Sequence, residues 1–218
     1  MARLACSSLL LLATLLPIRL AATEPALTCL DAGAVAERTW TLPPDLIHAI
    51  GRVESGHTDR ATGRVLAWPW TVNANGSGFW FASRVEAVAF VRTLQSLGVQ
   101  QIDVGCFQVD LFYHPAAFSS LEQAFDPAAN ADYAGRFLTE LHSRTGSWAA
   151  AIAGYHSGRA VEGENYRQKV AAQWRSGAAF AEAAIPPAGA VAGGQATIPD
   201  RFVVLMSAAA RAIRVIRP

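Results

Sequence analysis

Leu46-Ile47-His48-Ala49-Ile50-Gly51-Arg52-Val53-Glu54-Ser55-Gly56 is the stretch on which the reading of this chain turns. Leu46, Ile47, Ile50 and Val53 recur at helical spacing and predict one apolar face. Pro43 and Pro44 precede the run, and Asp45 suits its first turn. Gly56 is a residue that takes the left-handed conformation in which helices stop. Glu54 then falls in the last turn, against the negative end of the helix dipole, where an ionised carboxylate is disfavoured. Burial would act in the same direction and hold the acid protonated at neutral pH. Such an acid is a proton donor for a leaving oxygen. The plain alternative is a solvated glutamate at a helix end.

Outward from this helix, turn and cap signals divide the chain. Cys29 to Trp40 reads as a helix before it. Trp68–Asn73 and Phe79–Phe81 read as short strands paired about the Asn75-Gly76 turn. Ser83 with Glu86 resembles a capping box for a helix over Arg84–Leu97, closed by Gly98. Ile102 to Leu111 reads as extended or irregular. Asp126-Pro127 opens a helix through Asn130, Tyr133, Phe137 and Leu141 that Gly146 ends, and Ser147 caps the next, Trp148–Tyr155. A last helix is expected over about Tyr166–Trp174. The expected fold class is α+β, mostly α, with a small β-hairpin element.

The first 22 residues read as a secretory signal peptide. Arg3 is its charged start, Leu9–Leu16 its apolar core and Leu20-Ala21-Ala22 its cleavage site. The core is too short for a confident membrane span. Without Arg3 and Arg19 the formal net charge of +1 becomes about −1, which gives no basic field for nucleic acid. Residues 23–175 form the expected catalytic domain. Residues 176–218, rich in Ala, Pro and Gly, form the expected flexible tail. Cys29 and Cys106 are the two cysteines left after the leader. In an oxidising compartment they suggest one disulfide, with two buried free thiols as the alternative. The five histidines form no metal set, no serine sits in a nucleophile turn, and no cofactor is expected.

Four blocks carry chemistry in order. They are Glu54-Ser55-Gly56, Gly105-Cys106-Phe107-Gln108-Val109, Asn130 with its helix, and Ala153-Gly154-Tyr155-His156-Ser157-Gly158, followed by Tyr166 and Val170. In order and spacing they resemble the transglycosylase SLT family, lytic transglycosylases with a lysozyme-like fold. The resemblance spans roughly Cys29 to Trp174. It implies that Glu54 is the catalytic acid for the β-1,4 bond between N-acetylmuramic acid and N-acetylglucosamine in peptidoglycan. Glu54 would protonate the glycosidic oxygen and then accept the proton of the C6 hydroxyl as that oxygen closes onto C1. The product is a 1,6-anhydro sugar. A nucleophile supplied by the substrate removes the need for a second carboxylate.

The same resemblance places Ser55, Gln108, Tyr155 and His156 on the substrate side of the site, and the Ser55 hydroxyl is also expected to bond locally and steady the helix end. It has the Tyr155 hydroxyl donate to the glutamate. His156 departs from the asparagine usual in that block and, unlike it, can charge below neutral pH. Cys106 and Phe107 stand where Leu and Met are more usual and read as packing residues. A long insertion, from about Arg64 to Asp103, has no counterpart in the family pattern. Within it Asn73 is the candidate polar contact, and Trp68, Trp70 and Trp80 either form a sugar-stacking wall or a core under the hairpin. Asp103 and Asp110 decide the reaction type. Facing Glu54 across a cleft, either would favour hydrolysis, as in a muramidase; otherwise both bond local backbone. The expected partners are peptidoglycan glycan strands, with a secretion or envelope machine as a further candidate, and the expected location is the periplasm. A non-catalytic peptidoglycan-binding assembly factor is the reading from another class.

Overall fold

The computed structural model describes residues 25–59 and 63–183. The expected signal peptide, residues 1–22, and most of the expected tail, residues 176–218, lie outside these residues. The chain runs through α1 (Pro25–Thr39), α2 (Leu46–Glu54), β1 (Gly56–Thr58), β2 (Val65–Ala67), β3 (Thr71–Ala74) and β4 (Ser77–Trp80). It continues through α3 (Arg84–Ser96), β5 (Ile102–Val104), β6 (Val109–Asp110), α4 (Leu121–Ala124), α5 (Pro127–Thr145), α6 (Trp148–His156) and α7 (Ala160–Ala183). This is the mostly α, α+β architecture expected. No helix among the described residues is long and apolar enough to cross a membrane.

The central helix α2 buries Leu46, Ile47, Ala49 and Ile50 completely. Each large aliphatic side chain buried in this way stabilises the fold by roughly 1.5–3 kcal/mol. Its first turn is satisfied from outside. Glu37 on α1 accepts from the backbone N–H of Asp45 (3.1 Å) and of Ile47 (3.1 Å). Asp45 itself makes no capping bond and instead pairs with Arg52 at 2.9 Å. Arg52 also donates to the carbonyl of Gln173, which ties α2 to α7.

Gly56 does not end α2 through a left-handed turn. It opens β1, and a Cβ there would collide with the carbonyl oxygen of Arg52. Close approach, not backbone handedness, is what requires glycine at this position.

The sheet expected around Asn75-Gly76 forms and is larger than a hairpin. Its order is β4-β3-β5-β6, all antiparallel. Register places Asn73 opposite Asp103, and Asp103 opposite Asp110, so three polar residues form one row across the sheet. A separate antiparallel pair, β1–β2, leads out of the Glu54 end of α2. Ser83 caps α3 by accepting from Glu86, while Glu86 reaches back to Ala82. Asp126 and Ser147 cap α5 and α6 as expected, and Gly146 ends α5 at φ 67°. Helix α7 starts before Tyr166 and runs past Trp174 to Ala183.

Two apolar cores result. One joins α1, α2, α5, α6 and α7 around Ile47, Ile50, Phe107, Leu138 and Val170. The other lies between the sheet and α3, around Val72, Phe90, Val91, Ile102 and Phe125. A disulfide joins Cys29 on α1 to Cys106 in the turn between β5 and β6, with Cα atoms 5.8 Å apart.

Candidate active site

A cleft of about 700 Å³ opens between α2, the polar row of the sheet and the α5–α6 side. Glu54 lines it from the last turn of α2. Its pKa is pushed up to about 8. Burial is the main cause; the hydrogen bond from Tyr166 lowers it, the charge of Asp103 raises it, and Lys169 lowers it again. At neutral pH the group is a carboxylic acid.

The phenol that serves Glu54 is Tyr166, on α7. Its hydroxyl donates to Oε1 of Glu54 at 2.5 Å. Tyr155 does not fill the place expected for it. Its hydroxyl donates to the carbonyl of Phe107 at 2.8 Å, and its ring stacks with Tyr166 at 6.4 Å between centroids. Both phenols sit well above the usual tyrosine range, chiefly through burial and then through Glu54, so both remain donors. Tyr166 stood in the sequence as half of a Tyr-x-x-x-Val pair; its link to the acid required the crossing of α7 over α2.

Ser55 is not a substrate-side residue in this geometry. It is fully buried. Its hydroxyl donates to the carbonyl of Cys106 at 2.6 Å and accepts from the N–H of Trp68 at 3.1 Å. Ser55 therefore fixes the end of α2 against the turn that carries Gln108. Asn130, also fully buried, holds that turn from α5. It accepts from the Phe107 N–H at 2.9 Å and donates to Val104 and Ala124. Gly105 has φ 85°, and a Cβ on it would strike the Asn130 amide.

Gln108 lines the cleft from a left-handed backbone, φ 46°. Its Nε2 donates to the carbonyls of Thr71 (3.1 Å) and Gly105 (2.9 Å), so its carbonyl oxygen is what it offers a ligand. Asn73 also lines the cleft, with Oδ1 accepting from Gly76 at 3.0 Å across the β3–β4 turn. Its amide nitrogen is the donor it offers. His156 lines the cleft and lies flat on Tyr166, 4.7 Å between centroids and 12° between planes.

Asp103 and Asp110 both line the cleft. The Asp103 carboxyl is pushed up to about 7, by burial first and then by the charge of, and a hydrogen bond with, Asp110. Asp110 accepts from the N–H groups of Phe112 (2.7 Å) and Tyr113 (3.0 Å).

Trp68, Trp70 and Trp80 do not line the cleft. Trp68 packs edge-on to Trp70 and against His57, and its indole donates to the Phe81 carbonyl. The aromatic residues of the cleft are instead Tyr113, Tyr133, Phe137 and Tyr155. Tyr133 and His114 share a 2.7 Å hydrogen bond there.

Compared with known families, residues 32–176 match the model of the transglycosylase SLT domain. No curated protein and no solved structure gives a match.

Proposed function

This chain belongs to the transglycosylase SLT domain family, with its lysozyme-like fold and its activity on peptidoglycan outside the cytoplasm, and from that premise we propose that it is an exported lytic transglycosylase in which Glu54 acts twice. The observation that carries this reading is the protonated Glu54 held by the Tyr166 hydroxyl inside the cleft.

Oε1 accepts from the phenol, which leaves Oε2 to carry the transferable proton. Glu54 gives that proton to the glycosidic oxygen between N-acetylmuramic acid and N-acetylglucosamine. The C1–O bond breaks, and positive charge at C1 is met by the substrate's own acetamido oxygen. Glu54, now a carboxylate stabilised by Tyr166, accepts the C6 hydroxyl proton as O6 bonds to C1. Gln108 and Asn73 offer an acceptor and a donor to the sugar from the sheet side. Export by the N-terminal signal and work in the periplasm, alone or beside a secretion or envelope machine, complete the reading.

Asp103 and Asp110 line the same cleft as Glu54, which makes hydrolysis the second reading. A general base works best with a pKa near the operating pH, and Asp103, pushed up to about 7, is the carboxyl that would activate water in that reading. Digestion of purified sacculi, followed by mass measurement of the products, tests the proposal. Anhydro-muropeptides, one water lighter than hydrolysed ones, are expected from the wild type and not from Glu54→Gln. Reducing-end products alone would replace the reading with a muramidase. Sacculi bound but never cut would replace it with a binding factor.

A further inference from the structure

His156 stands out in the cleft because it touches the residue that touches the acid. It is the last residue of α6, and its ring lies flat on Tyr166 of α7 at 4.7 Å. Tyr166 donates to Glu54 of α2 at 2.5 Å. One aromatic ring therefore has an ionisable imidazole on its face and the acid on its hydroxyl. We infer that His156 is a positioning residue that tunes the acid–base strength of Glu54 through Tyr166. The inference rests on Glu54 being the acid of the proposed reaction.

An imidazolium against a phenol face is attracted to the ring and draws on its electrons. The phenol O–H then becomes a stronger donor, and a stronger donor favours the carboxylate form of its partner. Charging His156 makes Glu54 a better acid for the first proton transfer and a poorer base for the second. The charged groups that act on His156 are both on α7: Lys169 disfavours its charge and Glu162 favours it. Burial is the largest influence, so His156 charges on the acid side of its usual range, while Glu54 titrates near 8. Asp103, on the sheet, acts on Glu54 directly. Between the two titrations the cleft holds a neutral imidazole and a protonated acid, the pair of states in which Glu54 can both give and recover a proton. An asparagine at this position could not charge.

The test is the pH dependence of kcat on a soluble N-acetylglucosamine–N-acetylmuramic acid oligosaccharide free of peptide, so that no stem carboxylate titrates in the window. For the wild type, kcat falls on the acid side, below the usual histidine pKa, and again on the alkaline side above about 8. In His156→Asn and His156→Phe the acid-side fall disappears and the alkaline one stays. His156→Phe keeps a flat ring on Tyr166 and lowers the plateau about threefold, whereas His156→Ala lowers it about tenfold; KM changes less than about twofold in both. His114→Asn, at the other ionisable ring of the cleft, keeps the acid-side fall. An acid-side fall that persists unchanged in His156→Asn and His156→Phe overturns the inference. So does a rise in KM without loss of kcat, which would make His156 a substrate contact. Glu54→Gln separates the two levels: if it stays fully active, the proposed function itself fails, and if it is inactive while the His156 profiles match the wild type, this inference fails alone.

Discussion

The Tyr166 hydroxyl and Oε1 of Glu54 meet at 2.5 Å across 112 residues of chain. The contact joins the end of α2 to the middle of α7, and α7 is also where Arg52 of α2 anchors, on the Gln173 carbonyl. Two bonds thus hold the acid's helix to the helix that supplies its hydrogen-bond donor.

Tyr166→Phe removes the donor and keeps the ring. Because the phenol lowers the Glu54 pKa, its loss raises it. The alkaline fall in kcat moves to higher pH, and kcat drops by about 10- to 100-fold as the carboxylate of the second step loses its stabilising bond. Tyr155→Phe, by contrast, frees the Phe107 carbonyl and costs about 1–2 kcal/mol of stability. Its alkaline limb stays in place. Side-by-side pH–rate profiles of the two variants check the assignment.

The raised pKa of Glu54 links stability to pH. The folded value is about 8 and the model-compound value 4.5, so the folded chain binds the proton more tightly than the unfolded one. The stabilisation is complete below about 4.5 and is lost as pH rises through about 8. Glu54→Gln abolishes this dependence. Its melting temperature should match the wild type near pH 4 and exceed it near pH 9, which thermal melts at the two pH values measure.

Ser55→Ala is expected to act on stability. It leaves the Cys106 carbonyl without its buried partner, at a cost of about 1–3 kcal/mol, while the Trp68 N–H keeps the Ser55 main-chain carbonyl at 3.1 Å. Urea unfolding should show a lower midpoint with an unchanged slope. Binding of glycan oligosaccharide to Ser55→Ala should weaken less than twofold, as expected for a side chain with no exposed surface.

The disulfide closes a loop of 77 residues. In the chain-entropy description a loop of that length contributes about 4 kcal/mol by restricting the unfolded chain. Cys29→Ser with Cys106→Ser should lower the urea midpoint accordingly, and added reductant should do the same to the wild type. Reductant that leaves the wild-type midpoint unmoved would count against a formed bond.

The sequence carried the framework well where a local rule governs. The apolar spacing of α2, the Ser83, Asp126 and Ser147 caps and the Gly146 stop all sit where they were read. Gln108 and Asn73 line the cleft together with Glu54. What escaped depends on how elements cross. Tyr155 and Tyr166 lie on successive helices, and only the packing of α6 and α7 decides which phenol reaches Glu54 and which turns to Phe107. Ser55 neighbours Glu54 in the chain, yet one helical step turns it from the cleft into the core. The tryptophans of the insertion read as either wall or core because Trp68 and Trp70 lie in the turn between β2 and β3, where no alternation rule applies, and only Trp80 lies on a strand. The Asp103–Asp110 pairing likewise required the register of β5 on β6.

The turn at Cys106 and Phe107 has one more consequence. Ser55 and Tyr155 grip it by two consecutive main-chain carbonyls, and Asn130 grips it by a main-chain N–H. Every chain has those atoms whatever its side chains. Phe107 is therefore free to change, proline apart and provided the replacement still fills the core, without moving Gln108 or the acid it faces, whereas Cys106 is kept by its bond to Cys29.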